Sequence, residues 1–205
     1  MNIGPPVETY EASYYQQIGS FTNESGHMII MDPRFDRSFI EKVGALCNVE
    51  SGTWHASIYR NELIDRNEAD NTEHNWGFRV WELAVRHEAA VDEQIRFAMI
   101  GDIGVDSAMV AICDSTKWGS DSITEGVPEN INVDEMMVTY LSIGDQRRAA
   151  TWTGAMWRLT CIKERNAGVF NGGAVSSSGV GDGCYALCGY EQDGRFSAFK
   201  VIFLP

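Results

Sequence analysis

The sequence predicts a mainly β, α+β fold for residues 1–205, as a single domain in which two related units form one sheet system with a few short helices. Three observations support this fold class. Short apolar stretches are bounded by glycine, proline and aspartate, which is typical of β-strands joined by turns. Asp193-Gly194 lies between two such stretches and predicts a tight hairpin near the C-terminal end. The third observation is an internal repeat.

The first half of the chain alternates between strand-like and helical patterns. Pro33 cannot donate to a β-ladder and moves Asp32 out of helical geometry, so the apolar run before them indicates a strand closed by a turn. Apolar residues spaced by three and four, from Phe35 to Leu46, indicate an amphipathic helix. The predicted elements are a helix over 7–17, a strand over 26–33, a helix over 36–47, a strand over 52–59, a polar surface turn over 61–75 and a strand over 76–86.

The second half is predicted to follow a similar order around a longer insert. A strand covers residues 96–101, and residues 128–141 place apolar side chains on one helical face behind Asn132, a suitable N-cap. For residues 151–157 the pattern does not distinguish a strand from a helix. The chain then closes with a hairpin whose last strand covers residues 196–203.

Two sequence offsets define the internal repeat. A shift of 82 positions places residues 18–32 over residues 100–114, with identical residues at both ends of the match. A shift of 131 positions places Gly52, Trp54 and Tyr59 over Gly183, Tyr185 and Tyr190. Because both matches occur in the same order, we expect two copies of one unit, at about 18–97 and 98–205, that bury a shared core. Chance similarity between short, glycine-bounded strands is the alternative.

Charge is the unusual feature of the composition. The chain has 29 acidic and 16 basic residues, which gives a net charge of −13 at pH 7. A negative field of this size disfavours nucleic acids and anionic membranes and attracts basic proteins. The apolar runs are far shorter than the roughly 20 residues needed to span a bilayer, and the N-terminal residues lack the pattern of a secretory signal. The five scattered cysteines include no C-x-x-C pair, so we expect reduced thiols, no zinc site and a cytoplasmic protein.

A glycine-rich loop before the last hairpin is the first candidate ligand site. Three glycines at alternate positions would allow backbone N–H groups to converge on an anion such as a phosphate or a carboxylate. The spacing G-x-G-x-G before a strand matches neither the dinucleotide-binding fingerprint nor a P-loop. The alternative is a tight, bulged start to the hairpin, in which the aspartate accepts a backbone hydrogen bond. The candidate ligand-binding residues are Ser178, Gly179, Gly181, Asp182 and Gly183, with Trp152 and Trp157 either as pocket walls or as core residues.

Asp32 and Asp114 form the second candidate site, because each ends a copy of the repeated strand. Two converging carboxylates could bind a divalent cation or act as an acid and base pair, and Asp182 could join them in a metal-dependent hydrolase. Equally, an aspartate after a strand commonly accepts hydrogen bonds from the turn that follows. The cofactor prediction is therefore limited to a divalent cation at Asp32 and Asp114.

The sequence contains no recognised motif for nucleophilic catalysis. A G-x-S-x-G elbow is absent, and His87-Glu88 lacks the second histidine of a zinc protease helix. Cys184 and Cys188 would need a histidine beside them to act as nucleophiles, and buried apolar cysteines are the commoner case. We therefore expect a binding protein and not an enzyme, with the metal-dependent hydrolase as the alternative.

Short motifs at both ends of the chain resemble a family of bacterial and phage domains of unknown function. The first is Ser25-Gly26 followed by a strand that ends at Asp32-Pro33, and the second is a G-x-G-D-G-x-Y hairpin from Gly179 to Tyr185. The resemblance spans most of residues 18–203, and it implies no catalytic residues because the family has no assigned activity. By analogy with mobile-element and toxin-neutralising proteins, it suggests an immunity or anti-defence role, in which the chain binds or inhibits a basic protein or holds a small anionic molecule.

Overall fold

The computed structural model describes residues 8–9, 15–67, 72–124, 151–162 and 165–204, and these residues form two antiparallel β-sheets. The strands, in chain order, are β1 (Glu8–Thr9), β2 (Gln16–Asn23), β3 (His27–Met31), β4 (Ala45–Asn48), β5 (Gly52–Asn67), β6 (Thr72–His87), β7 (Arg96–Val105), β8 (Met109–Asp114), β9 (Ala167–Phe170), β10 (Gly173–Ser177), β11 (Gly183–Gln192) and β12 (Arg195–Ile202). The helices are α1 (Ile40–Val43) and α2 (Trp152–Thr160), with 3-10 turns at Arg37–Phe39, Asp92–Gln94 and Asp121–Thr124.

The two sheets pack face to face over a common core. The larger sheet has the strand order β1-β7-β11-β12-β6-β5-β2, and the smaller has the order β4-β3-β8-β10-β9. Ile30 and Ile112 from the smaller sheet meet Trp54 and Phe199 from the larger sheet in this core. The prediction of a mainly β fold with few short helices is confirmed. The strands form two packed sheets, because each sheet needs a second apolar face to bury its inward side chains.

A second apolar layer covers the outer face of the smaller sheet. Met109 of β8 and Val175 of β10 belong to this layer, and α2 packs Met156 and Leu159 against them. The helix begins after Thr151, whose hydroxyl accepts a backbone hydrogen bond from the first turn. Among the described residues, no helix combines the length and the apolar character that crossing a membrane requires.

Strands of the two predicted repeat units occupy matching places in both sheets. In the larger sheet, β2, β5 and β6 mirror β7, β11 and β12, and in the smaller sheet β4 and β3 mirror β10 and β8. Ile30 pairs with Ile112, 82 positions later, within the β3–β8 ladder. Ile18 lies at a bulge in the β2–β5 ladder and has no paired residue on β5. Ile100, 82 positions later, lies at a bulge in the β7–β11 ladder in the same way. The internal duplication stays a prediction, which these registers support.

The β5–β6 and β11–β12 hairpins match at the base and differ at the tip. Each ladder has a bulge directly after a tyrosine, Tyr59 or Tyr190, and these tyrosines lie 131 positions apart. The second hairpin then turns at Asp193-Gly194, where both residues have positive φ (54° and 82°), as the favoured two-residue turn requires. The first hairpin continues as a paired ribbon to the ends of both strands. We call residues 61–65 and 72–79 of this ribbon the β5–β6 arm.

Several predicted elements are corrected by the structure. The sequence predicts a surface turn over residues 61–75, but their described part pairs as strands in the ribbon. Residues 36–47 contain a 3-10 turn and the four-residue helix α1 before β4, because the pairing of β4 with β3 overrides the helical spacing. Within the predicted helix over 7–17, the described residues include the strand β1 (Glu8–Thr9) and the start of β2 at Gln16. Residues 151–157 fall largely within α2, and the predicted helix over 128–141 lies outside the described residues.

Candidate functional site

Asp32 lies at the end of β3 and is fully buried. Its Oδ2 atom accepts a hydrogen bond from the backbone N–H of Asp106 at 2.8 Å. Its Oδ1 atom accepts bonds from the hydroxyl of Ser107 at 2.6 Å and from the backbone N–H of Arg34 at 2.8 Å. Asp32 therefore caps its own turn and also holds the turn between β7 and β8.

Asp114 does the same at the end of β8, where it is also fully buried. Its Oδ2 atom accepts hydrogen bonds from the backbone N–H groups of Glu24 (2.7 Å) and Ser25 (2.9 Å), in the turn between β2 and β3. Its Oδ1 atom accepts bonds from the backbone N–H (2.8 Å) and the hydroxyl (2.7 Å) of Thr116. Burial alone would raise the pKa of Asp114, but these hydrogen bonds outweigh burial and lower the pKa below its ordinary value.

The two aspartates lie at opposite ends of the β3–β8 ladder. Met28 is paired with Asp114, and Met28 is four residues from Asp32. At roughly 3.3 Å per residue, the two positions are therefore separated by about 13 Å along the ladder. The structure does not bring Asp32 and Asp114 together, and each aspartate accepts the turn hydrogen bonds that the capping alternative predicts.

Asp182 does not complete a metal centre with the other two aspartates. Its Oδ1 atom accepts a hydrogen bond from the backbone N–H of Ala108 at 3.1 Å. Asp182 therefore supports the same β7–β8 turn as Asp32, at the end of the ladder away from Asp114. Within the part of the chain that the structure describes, there is no group of three or more His, Cys, Asp or Glu side chains placed to hold a metal ion.

The glycine-rich loop is closed by hydrogen bonds within itself. The N–H of Gly181 donates to the carbonyl of Ser178 at 3.1 Å, and the Ser178 hydroxyl donates to the Gly181 carbonyl at 2.6 Å. The hydroxyl of Tyr185 lies 2.7 Å from the same Gly181 carbonyl. Gly179 and Gly181 have φ of 60° and 121°, values that favour glycine. This geometry favours the alternative in which the loop is the tight start of a hairpin. The N–H of Gly181, which was expected to face an anion, is already hydrogen-bonded, and the carboxylate of Asp182 lies next to it in sequence.

The two tryptophans proposed as pocket walls lie on α2. Trp152 is only 6% exposed, and its Nε1 donates to the carbonyl of Pro33 at 2.7 Å. Its ring packs against Trp118 and Phe170, so Trp152 is a core residue. Trp157 is 36% exposed on the same helix. The neighbours of the loop at Gly179 are instead Phe203, Leu204 and the carbonyl of Val80. An anion site built from this loop and these rings stays a prediction.

The cysteines provide little support for thiol chemistry. All five are free thiols, and only Cys184 is exposed. Burial raises the pKa of Cys47 to about 11 and of Cys161 to about 11, and it raises the pKa of Cys113 well above its ordinary value. These three thiols therefore remain protonated and unreactive near neutral pH.

The β5–β6 arm carries the surface feature that the sequence interpretation missed. Ile64, Trp76 and Phe78 are 44%, 48% and 60% exposed. Beyond its base the arm has no neighbouring strand among the described residues, because β2 pairs with β5 only up to Ile58 and β12 pairs with β6 only from Glu82. Trp76 and Phe78 belong to the strand predicted over residues 76–86, and the residues before them belong to the predicted surface turn, so nothing in the sequence indicated that both segments pair as one projecting ribbon.

Comparison with known proteins identifies no relative. No protein-family model, no curated protein and no solved structure matches the chain. The resemblance to a bacterial and phage family therefore stays a prediction.

Proposed function

We propose that the chain is a non-catalytic, acidic binding protein that recognises a basic protein surface. The observation that carries this proposal is the net charge of −13. An excess of this size accelerates encounter with positively charged partners and suppresses association with nucleic acids and other anions.

The hydrogen bonds of the candidate catalytic carboxylates favour a binding protein over an enzyme. Asp32 and Asp114 use both carboxylate oxygens in hydrogen bonds to turns, and they lie at opposite ends of a strand pair. Asp182 likewise accepts a backbone hydrogen bond. These hydrogen bonds stabilise the turns that the aspartates cap. No contact among the three aspartates supports a metal-dependent hydrolase.

Selection from a random displayed peptide library tests the proposal, because such a library requires no candidate partner to be chosen in advance. The immobilised full-length chain is the bait, and the enriched peptides are then synthesised and titrated at 50 and 300 mM NaCl. We expect the enriched peptides to be rich in lysine and arginine and to bind at least about tenfold more weakly at the higher salt, because salt screens charge attraction.

Two results would overturn the proposal. The first is enrichment of neutral or acidic peptides, or of none. The second is affinity for basic peptides that does not change with salt. A parallel titration with inorganic phosphate and ATP separates the competing hypothesis, since stabilisation by either anion without any basic peptide would favour a small anionic ligand instead.

A further inference from the structure

We propose that the β5–β6 arm is the surface that contacts the basic partner, and that Trp76 and Phe78 enter an apolar groove bordered by lysine and arginine side chains. This inference rests on the proposed function and adds to it the place and manner of contact.

The β5–β6 arm exposes two aromatic side chains to solvent. Trp76 and Phe78 are 48% and 60% exposed on a two-stranded ribbon that continues beyond both neighbouring strands. Beyond its base, the ribbon runs from the pair Asn61–Arg79 to the pair Asn67–Thr72, which is about 20 Å at the usual rise of a strand. Apolar side chains grouped on a projecting ribbon mark a surface that a partner can bury.

The aromatic side chains are held in place by local contacts. The imidazole of His74 packs edge-on against Trp76 with ring centroids 4.4 Å apart, and the guanidinium of Arg60 lies 5.9 Å from the centre of the Phe78 ring. Between them, the backbone N–H of Gly77 donates to the Asn75 side chain at 2.7 Å. Side chains that are ordered before binding lose less conformational entropy on association, and tryptophan is enriched among residues that dominate interface energy.

The carboxylates on the arm favour a partner surface that is basic. The exposed carboxylates of Glu62, Asp65 and Glu73 lie on the arm. The amide of Asn75 donates to Glu62 at 2.6 Å, which fixes that carboxylate near the aromatic residues. A second copy of this chain is a poor occupant, because two molecules of net charge −13 repel each other. A groove that combines lysine or arginine with apolar residues would complement both the carboxylates and the aromatic rings of the arm.

The second hairpin shows that the core does not need the arm. Its ladder closes two residues after Tyr190, by the pair Gln192–Arg195. The equivalent pair in the first hairpin is Asn61–Arg79, two residues after Tyr59. Replacing residues 62–78 by Asp-Gly should therefore join Asn61 to Arg79 with the turn used by the second hairpin, and it should leave both sheets intact.

The test is a parallel library selection on the full-length wild type and on the full-length chain in which Asp-Gly replaces residues 62–78. A double variant, Trp76→Ala with Phe78→Ala, separates apolar contact from charge, and Leu46→Ala on β4 is the matched control because Leu46 is 53% exposed and outside the arm. Thermal unfolding of every variant verifies folding. We expect wild type to enrich basic peptides, the double variant to bind them at least about tenfold more weakly, and the control to bind them unchanged.

Each outcome decides between the proposals. If the arm-replaced chain enriches the same basic peptides as wild type, the inference about the arm is overturned and the proposed function stands. If wild type enriches peptides that lack basic residues and the arm-replaced chain does not, the arm binds but the basic partner is overturned. If wild type enriches no peptide, both proposals are overturned.

Discussion

The first unit (β2 to β6) and the second unit (β7, β8 and β10 to β12) agree along the ladders in which their strands match. Their strands have equivalent registers, their bulges fall at equivalent positions, and each supplies one buried aspartate that holds a turn of the other. They differ at the tip of the hairpin, where the first unit has the β5–β6 arm and the second has a two-residue turn. The two-residue turn of the second unit indicates that a hairpin of this kind can close without an arm, so the arm is the part of the first unit that we propose for binding.

The reciprocal aspartates explain how the two units are held together. Asp32 of the first unit binds the turn at Asp106 and Ser107, and Asp114 of the second unit binds the turn at Glu24 and Ser25. Each carboxylate accepts hydrogen bonds from a segment distant in sequence, so each of these turns is held in part by the other unit. This arrangement makes the aspartates structural, although the sequence also suited them to a metal site.

The largest expected effect is loss of stability on removing either carboxylate. We expect Asp32→Ala and Asp114→Ala each to lower the free energy of unfolding by about 3–5 kcal/mol, because each leaves several buried donors without an acceptor. Urea unfolding measures the loss. Asp106→Ala is the matched control, since its side chain is exposed and only its backbone N–H binds Asp32. A loss below about 1 kcal/mol for one aspartate alone would show that the two ends of the ladder are not equivalent.

A pH titration tests whether the charge of Asp114 stabilises the fold. Hydrogen bonds from Thr116, Ser25 and Glu24 outweigh burial and place its pKa below the ordinary value of 3.8. The ionised carboxylate therefore stabilises the fold above about that pH, and this contribution is lost as the pH falls through the lower pKa of the folded state. We expect the difference in the free energy of unfolding between wild type and Asp114→Asn to be constant near neutral pH and to shrink in acid.

An unchanged difference from pH 7 to pH 3 would contradict this assignment. It would mean that the hydrogen-bond geometry around Asp114, and not its charge, supplies the stabilisation. Glu24→Gln is the control for surface charge, because the exposed Glu24 carboxylate lies 3.5 Å from Lys117 in a partly exposed ion pair. Such a pair contributes little to stability.

The sequence was informative where burial imposes a pattern. The β3 strand, with apolar residues from Met28 to Met31 before Asp32-Pro33, and the Asp193-Gly194 turn were predictable because local chemistry and tertiary structure agree. The two offsets likewise placed β2 over β7, β3 over β8 and β5 over β11, as the ladders do.

Elements whose structure depends on distant partners could not be predicted. The helical spacing from Phe35 to Leu46 is real, but pairing with β3 makes Ala45–Asn48 a strand. In the β5–β6 arm, residues 61–65 and 72–75 are mostly polar, so no alternation between apolar and polar positions marked them as strands. The reciprocal contacts of Asp32 and Asp114 are also invisible in sequence, because each joins residues more than 70 positions apart.

The smallest expected effect tests the equivalence of the units inside the core. Cys47 pairs with Met28 and Ser176 pairs with Val110, and Met28 and Val110 are themselves 82 positions apart. Cys47 is a protonated, largely apolar thiol, whereas the buried hydroxyl of Ser176 has no hydrogen-bond partner among the described residues. Burying an unsatisfied hydroxyl costs roughly 1–3 kcal/mol.

Exchanging these residues should therefore change stability in opposite directions. We expect Ser176→Cys to raise the free energy of unfolding by about 0.5–1 kcal/mol and Cys47→Ser to lower it by about 1–2 kcal/mol, as measured by urea unfolding under reducing conditions. If Ser176→Cys were destabilising, the Ser176 site would have to differ in shape from the Cys47 site. The registers of the two units would then agree only along the backbone, and the packing of their side chains would be independent.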